Sequence, residues 1–363
     1  IGPRQCGKST LAKTIIKDIS EVIYLDLERP SDLRKLEDAE WFFSTQKNSF
    51  FCIDEIQKKP GLFPLIRSLV DEWGENRKFL ILGSASRDLL KQSSESLAGR
   101  ISYLRLTPFL WKEIGKNFTI DDYLVQGGFP RSLLSISKDL SFKWREDFIS
   151  TFLERDLLQW SGFSNETMRR LWQMLANFNG QTANYSLLAN SLGVSSVTIR
   201  NYIDLLQGTF MLEVVPPYHS NAGKRMVKAP KIYVSDSGIT NALLQIENFN
   251  QLSGNPVIGA SWEQVVLSNL KGHFPSARFF FYRTSSGSEI DFVMNVKNKI
   301  YAIECKSSLS PGLSKGNYYA IDDIKPQQTF VVSPVERGWP VKKNIDIVSL
   351  EEIINRLTEA HKL

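Results

Sequence analysis

The stretch Gly2-Pro3-Arg4-Gln5-Cys6-Gly7-Lys8-Ser9 constrains this chain more than any other. It satisfies G-x-x-x-x-G-K-[ST] at every required position, and an apolar pattern of helical spacing, Leu11-Ala12-Lys13-Thr14-Ile15-Ile16, follows at once. In such a loop the glycines let backbone N–H groups close around phosphate oxygens, and the helix N-terminus favours negative charge. Lys8 would reach the β- and γ-phosphates, and the Ser9 hydroxyl would ligate Mg²⁺. The candidate ATP contacts are therefore Gly2, Pro3, Arg4, Gln5, Cys6, Gly7, Lys8, Ser9 and Thr10, with Arg4 either a phosphate neighbour or a solvated side chain. A loop of this kind is anchored by a strand in front of it. Only Ile1 precedes Gly2, so the expectation is that the natural N-terminus is missing from this sequence.

The loop needs partners. Ser49-Phe50-Phe51-Cys52-Ile53 is an apolar run suited to a buried strand, and it ends in Asp54-Glu55. A carboxylate there can hold the magnesium shell while its neighbour activates water, which assigns Asp54 to the metal and Glu55 to catalysis. A further strand, Lys78 to Gly83, ends at Ser84, which either orients the attacking water or simply opens a strand-to-helix turn. Arg100, ahead of an apolar strand at Ile101–Leu106, is either a finger to the γ-phosphate, in its own subunit or a neighbour's, or a surface arginine.

The segments GPRQCGKST, FCIDEIQ, LILGSAS and LAGR, in that order and spacing, resemble the prokaryotic AAA-superfamily P-loop ATPases of uncharacterised role that carry a C-terminal PD-(D/E)xK, restriction-endonuclease-like domain. The resemblance implies an α/β fold with a parallel sheet, helices on both faces, and another strand between those that carry the loop and the acidic pair. It also implies ATP and Mg²⁺ as ligands and a homo-oligomer that shares arginines.

A chain of 363 residues exceeds the ~250–300 at which one hydrophobic core stops growing, so several domains are expected. The boundaries read are 1–120 for the ATPase domain, 121–178 for a helical lid or linker, 179–245 for a winged helix-turn-helix and 246–363 for the C-terminal domain. In the third of these, Tyr185–Leu192, a turn at Gly193 and a second helix capped by Ser195 or Ser196 make the helix-turn-helix, and the strands near 210–215 and 231–234 make the wing. Thr198, Arg200 and Asn201 could read base edges of duplex DNA, with Lys224, Arg225, Lys228 and Lys231 touching its phosphates. The alternative is that this module makes contacts between domains or proteins.

The last domain reads helix (Ser261–Leu270), three strands, helix (Leu313–Ile324) and strand (Gln328–Ser333). Asp291, Glu304 and Lys306 fit a D…E-x-K arrangement, with Glu263 on the preceding helix. Period-two geometry puts Glu304 and Lys306 on one face of their strand and Cys305 on the other. Glu263, Asp291 and Glu304 are candidate metal ligands, and Lys306 the residue that helps generate hydroxide. The RT…G-x-E-I-D-F and I-E-x-K-S segments of the resembling ATPases match here as well, through Arg283, Thr284, Glu289 and Ser307.

Composition excludes some classes. The apolar fraction of 42% and charged fraction of 23% are those of a globular chain, and a net charge of +5 falls short of a dedicated nucleic-acid binder. Three scattered cysteines argue against a disulfide framework and for a reduced, cytoplasmic protein, and no run reaches the ~18 apolar residues of a membrane span. The leading reading is an ATP-dependent, Mg²⁺-requiring hydrolase coupled to a domain of nuclease fold. Its rivals are a metal-dependent DNA or RNA nuclease regulated by ATP, and a nucleotide-responsive interaction or DNA-binding module without catalysis.

Overall fold

The computed structural model describes residues 1–76, 78–83, 93, 95–156, 164–219 and 226–361. The chain forms two compact units, Ile1–Pro108 with Gly208–Phe210, and Phe109–Gln207 with Met211–Leu363. Among the described residues no helix is long and apolar enough to cross a membrane. Cys6, Cys52 and Cys305 are buried and free.

In the first unit, strands β1 (Val22–Asp26), β2 (Phe50–Asp54) and β3 (Phe79–Ile81) pair in that order, and all are parallel. Parallel neighbours need crossovers, and helical segments supply them, among them Leu62–Trp73 between β2 and β3. Strand alternation divides the side chains between two layers. Phe51 and Ile53 pack with Phe63, Ile66 and Trp73 on one face, while Cys52, Leu80 and Tyr24 meet Ala12 and Ile16 of helix Lys8–Ile16 on the other. Phe51, Phe79 and Trp73 stack, with Phe43 edge-on to Phe51.

The strand predicted at Ile101–Leu106 is not a strand. The segment pairs with Ile1, whose carbonyl accepts from Leu106 N–H (2.8 Å) and whose nitrogen donates to the Leu104 carbonyl (2.8 Å). Between it and β3 runs a cavity of about 630 Å³, lined by Leu11, Ile15, Leu80, Leu82 and Leu104.

The second unit is built on a six-stranded mixed sheet of order β10-β11-β9-β8-β7-β6, formed by β6 (Arg278–Arg283), β7 (Glu289–Val296), β8 (Lys299–Cys305), β9 (Gln328–Val332), β10 (Trp339–Lys342) and β11 (Ile345–Val348). The turn read at Lys297-Asn298 joins β7 to β8. Both of its residues have positive φ (47° and 63°), the two-residue hairpin geometry that matches strand twist. Helix Ile258–His273 covers one face, with Trp262 Nε1 donating to the Val332 carbonyl (2.9 Å), and helix Lys315–Ile324 covers the other. Ile303 and Cys305 pack with the first layer and Ala302 with the second, as period two requires.

Two helices, Tyr185–Leu192 and Ser196–Gly208, precede an antiparallel hairpin of β4 (Leu212–Val215) and β5 (Lys231–Val234). Ser195 caps the second helix, accepting from Thr198 N–H (3.0 Å). The hairpin is tied down on both sides. Gly180 N–H donates to the Ile232 carbonyl (2.8 Å), and beyond β4 the chain runs along β6, where Phe281 N–H donates to Pro216 (3.0 Å) and Tyr218 N–H to Phe281 (2.7 Å).

The Gly127-Gly128-Phe129-Pro130 turn has a packing role. Gly127 lies at φ 73°, where a Cβ would stand 2.1 Å from Asp236 Oδ1, and Gly128 N–H donates to Asp236 Oδ2 (2.8 Å).

Candidate functional sites

Two clusters of chemistry-bearing residues stand on the two units. In the first, helix Lys8–Ile16 begins directly at the loop. Gly7 (φ 99°) and Gln5 (φ 61°) both have positive φ, and Gly7 N-caps the helix, its carbonyl accepting from Leu11 N–H (2.9 Å). The Lys8 ammonium folds onto the loop's own carbonyls, donating to Gly2 O (3.0 Å) and Pro3 O (2.7 Å). Burial lowers its pKa against the pull of Cys6, Glu55 and Asp54, so the charges of the loop and of the acidic pair are felt across one space.

Asp54 ends β2 and is buried, with Oδ2 accepting from Tyr24 OH (2.6 Å) and Oδ1 from the Glu55 N–H (3.0 Å). Glu55 follows in the left-handed region (φ 56°, ψ 45°), an uncommon conformation for a residue with a side chain. That bend ends the strand and turns Glu55 away from the ladder; its carboxylate accepts from Gln57 Nε2. Burial, then the Asp54 charge, hold Glu55 above the usual carboxylate range.

The donor set of a serine hydroxyl and a buried carboxylate suits Mg²⁺, which takes oxygen ligands and keeps several waters. Each Asp54 oxygen accepts one hydrogen bond and retains a lone pair.

Arg100 does not join this group. Its Nε pairs with Asp71 Oδ1 (2.5 Å) and Nη1 donates to Ala98 O (2.9 Å), both at the surface. Ser84 lies outside the described residues, as do Lys224 and Arg225. Tyr24 carries no signal in the sequence; only the pairing of β1 with β2 shows that its hydroxyl reaches the end of the neighbouring strand.

In the second cluster, Glu263 on helix Ile258–His273, Asp291 on β7, and Glu304 and Lys306 at the end of β8 line one cavity of about 1020 Å³, together with Glu289. Asp291 Oδ2 accepts from Cys305 N–H (2.9 Å), which locks β7 to β8 at this level. Lys306 Nζ donates to Glu304 Oε1 (2.6 Å), and the buried Glu304 Oε2 has no hydrogen-bond partner.

At the centre stands a residue read from sequence as a surface phosphate contact. Lys231, first residue of β5 and only 3% exposed, places its ammonium 2.9 Å from Glu289 Oε1, 3.2 Å from Asp291 Oδ1 and 3.6 Å from Glu263 Oε2. From the same strand Tyr233 OH donates to Glu263 Oε2 (2.6 Å). Burial alone would lower the lysine's pKa; the carboxylates of Glu263, Asp291 and Glu289 outweigh it and raise it. Burial, then Asp291, push Glu263 and Glu304 upward.

The signal that could have revealed Lys231 is its i, i+2 relation to Tyr233 in the short strand Lys231-Ile232-Tyr233-Val234, which gives the two side chains one face. Among the described residues no group of three acidic, histidine or cysteine side chains is arranged to hold a metal. A divalent ion does not fit this cluster as folded, since an ammonium already sits among the oxygens it would need.

A model for an AAA domain matches residues 1–115, a domain of unknown function, DUF8612, matches 117–250, and a second, DUF4143, matches 258–353. An uncharacterized protein of Mycobacterium tuberculosis is 36% identical over 354 residues, covering 97% of this chain and 80% of that protein. An uncharacterized protein of Haemophilus influenzae is 24% identical over 270 residues, 66% of each chain. A Vibrio cholerae protein of known crystal structure aligns over 95% of this chain and 92% of its own at 12% identity, with a TM-score of 0.23.

Proposed function

The chain, with an AAA domain at its N-terminus and a DUF4143 domain towards its C-terminus, belongs to the family of the M. tuberculosis protein, and from that premise we propose that its first unit binds ATP with Mg²⁺ and hydrolyses it. The observation that carries this reading is Glu55. It sits in a left-handed conformation at the end of β2, beside the metal-type carboxylate Asp54, within the field of Lys8, and its pKa is raised toward that of a proton acceptor.

Each residue then has one task. The loop's N–H groups and Lys8 receive phosphate oxygens; the ammonium exchanges two neutral carbonyls for charged acceptors, a gain in hydrogen-bond strength. Ser9 and Asp54 would hold Mg²⁺, which neutralises charge on the phosphates when bound. Tyr24 fixes the Asp54 carboxylate by its 2.6 Å bond. Glu55 takes the proton of the attacking water, and Gln57 orients it. Arg100, engaged with Asp71, is given no part.

The second unit is read as a winged helix followed by a restriction-endonuclease-like core, on the helix-hairpin order and on the helix, three strands, helix, strand order around Asp291, Glu304 and Lys306. The wing is read as an internal brace rather than a DNA contact: the chain flanking its hairpin pairs with β6, and Lys231 is buried.

Glu55→Gln is expected to lower phosphate release about 10²- to 10⁴-fold while Mg²⁺-ATP binding is kept. Turnover unchanged in that variant would overturn the assignment.

A further inference from the structure

The sheet of the first unit brings a tyrosine to the carboxylate that ends β2. We propose that Tyr24 is a positioning residue that sets which divalent ion can accompany the nucleotide: by holding Asp54 Oδ2 it favours Mg²⁺ over Ca²⁺. The inference rests on the reading of this unit as a site for metal-bound ATP and adds to that reading the choice of metal.

Strand register explains how the two residues meet. Tyr24 lies opposite Cys52 in the parallel pair of β1 and β2, and Asp54 is two residues beyond Cys52, so the tyrosine and the acid share one face of the sheet. The side chain spans that step. Its hydroxyl donates to Asp54 Oδ2 at 2.6 Å, the length of a bond to an ionised carboxylate, and Glu55 N–H donates to Oδ1 at 3.0 Å. With a donor on each oxygen and only 4% of Asp54 exposed, the plane of the carboxylate is fixed.

The helix behind the loop holds the tyrosine in turn. Lys13 follows Ser9 by four residues and so shares its face of helix Lys8–Ile16, and its ammonium stands 4.8 Å from the centre of the Tyr24 ring. Ala12 and Ile16 pack in the same layer as Tyr24. One helix thus carries the serine hydroxyl and steadies the ring that fixes the carboxylate.

The two metals ask different things of such an acid. Mg²⁺ keeps several waters in a near-octahedral shell and needs one or two carboxylates, so one lone pair left on each Asp54 oxygen suffices. Ca²⁺ is larger, collects ~6–8 oxygens and readily takes both oxygens of one carboxylate. Protein donors on both oxygens oppose that. Without the Tyr24 hydroxyl, Oδ2 becomes a buried acceptor short of a partner, and the ion able to use both oxygens gains most.

The test reads binding rather than turnover: the calorimetric affinity of the full chain for the β,γ-imido analogue of ATP with Mg²⁺ and with Ca²⁺, in wild type, Tyr24→Phe and Lys13→Met. Thermal unfolding of each free chain checks the fold. Wild type is expected to prefer the Mg²⁺ complex, and Tyr24→Phe to shrink the ratio of the two affinities by about fivefold, the worth of one hydrogen bond. Lys13→Met keeps the hydroxyl and is expected to shift the ratio less, in the same direction. A purely structural loss weakens both complexes alike, so an equal change for the two metals in folded Tyr24→Phe would overturn the inference and leave the ATP reading standing. Should Tyr24→Phe not fold, an unchanged ratio in Lys13→Met has the same force. A folded wild type that binds neither complex removes the ATP reading and this inference together.

Discussion

Lys8 and Lys231 both lie in the field of acidic side chains, and the contrast between them is one of partners: neutral carbonyls for the first, carboxylates for the second. Lys8 rests on two neutral carbonyls, and burial lowers its pKa. Lys231 rests on three carboxylates, which raise its pKa in spite of deeper burial. A neutral acceptor yields readily to phosphate, because a charged hydrogen bond is roughly twice as strong. A lysine saturated by carboxylates has nothing to gain from a ligand. One residue type is thus proposed to bind phosphate in the first unit and braces the second, and the difference lies in what surrounds the ammonium.

The largest effect expected from breaking this contrast is on stability. Lys231→Ala leaves buried carboxylates uncompensated and is expected to cost about 3–5 kcal/mol, read by denaturant unfolding of the second unit. Lys8→Ala removes only contacts to loop carbonyls, so its cost should stay within about 1 kcal/mol in the same measurement. Equal costs would erase the distinction. The smallest effect is on pH. The folded pKa values of Glu263 and Glu304 lie above the unfolded one, so the folded state holds protons that the unfolded chain releases. The resulting stability is full below the ordinary carboxylate value and fades as pH rises through the folded values, about 7 for Glu263 and about 8 for Glu304. Unfolding of the second unit should therefore become easier as pH rises from 5 to 8, read by denaturant unfolding at each pH. A slope of opposite sign would mean that the cluster is ionised throughout.

Much of this was legible in the sequence, for identifiable reasons. The loop announces itself through glycines and Lys8, and Asp54-Glu55 through the apolar run before it, because local backbone demands fix those residue types. Glu304 and Lys306 could be placed on one face of their strand by period two, and Asp291 on the strand before it by the order of apolar runs and turns. What stayed hidden depends on contacts between distant segments. Lys231 reads as a member of a basic wing loop until β5 is docked against β7. Tyr24 carries no sequence signal, and its contact with Asp54 follows only once β1 pairs with β2 in the register Asp26 to Asp54. The Ile101–Leu106 segment, read as a strand from its apolar pattern, carries no ladder in the structure.

The measurement that tests the account most directly is calorimetric binding of Mg²⁺-ATP to wild type, Lys8→Ala and Lys231→Met. Wild type is expected to bind, Lys8→Ala to lose at least about tenfold in affinity, the equivalent of about 1.4 kcal/mol, and folded Lys231→Met to bind as wild type does. Binding that survives Lys8→Ala undiminished, or that falls only in Lys231→Met, would contradict it.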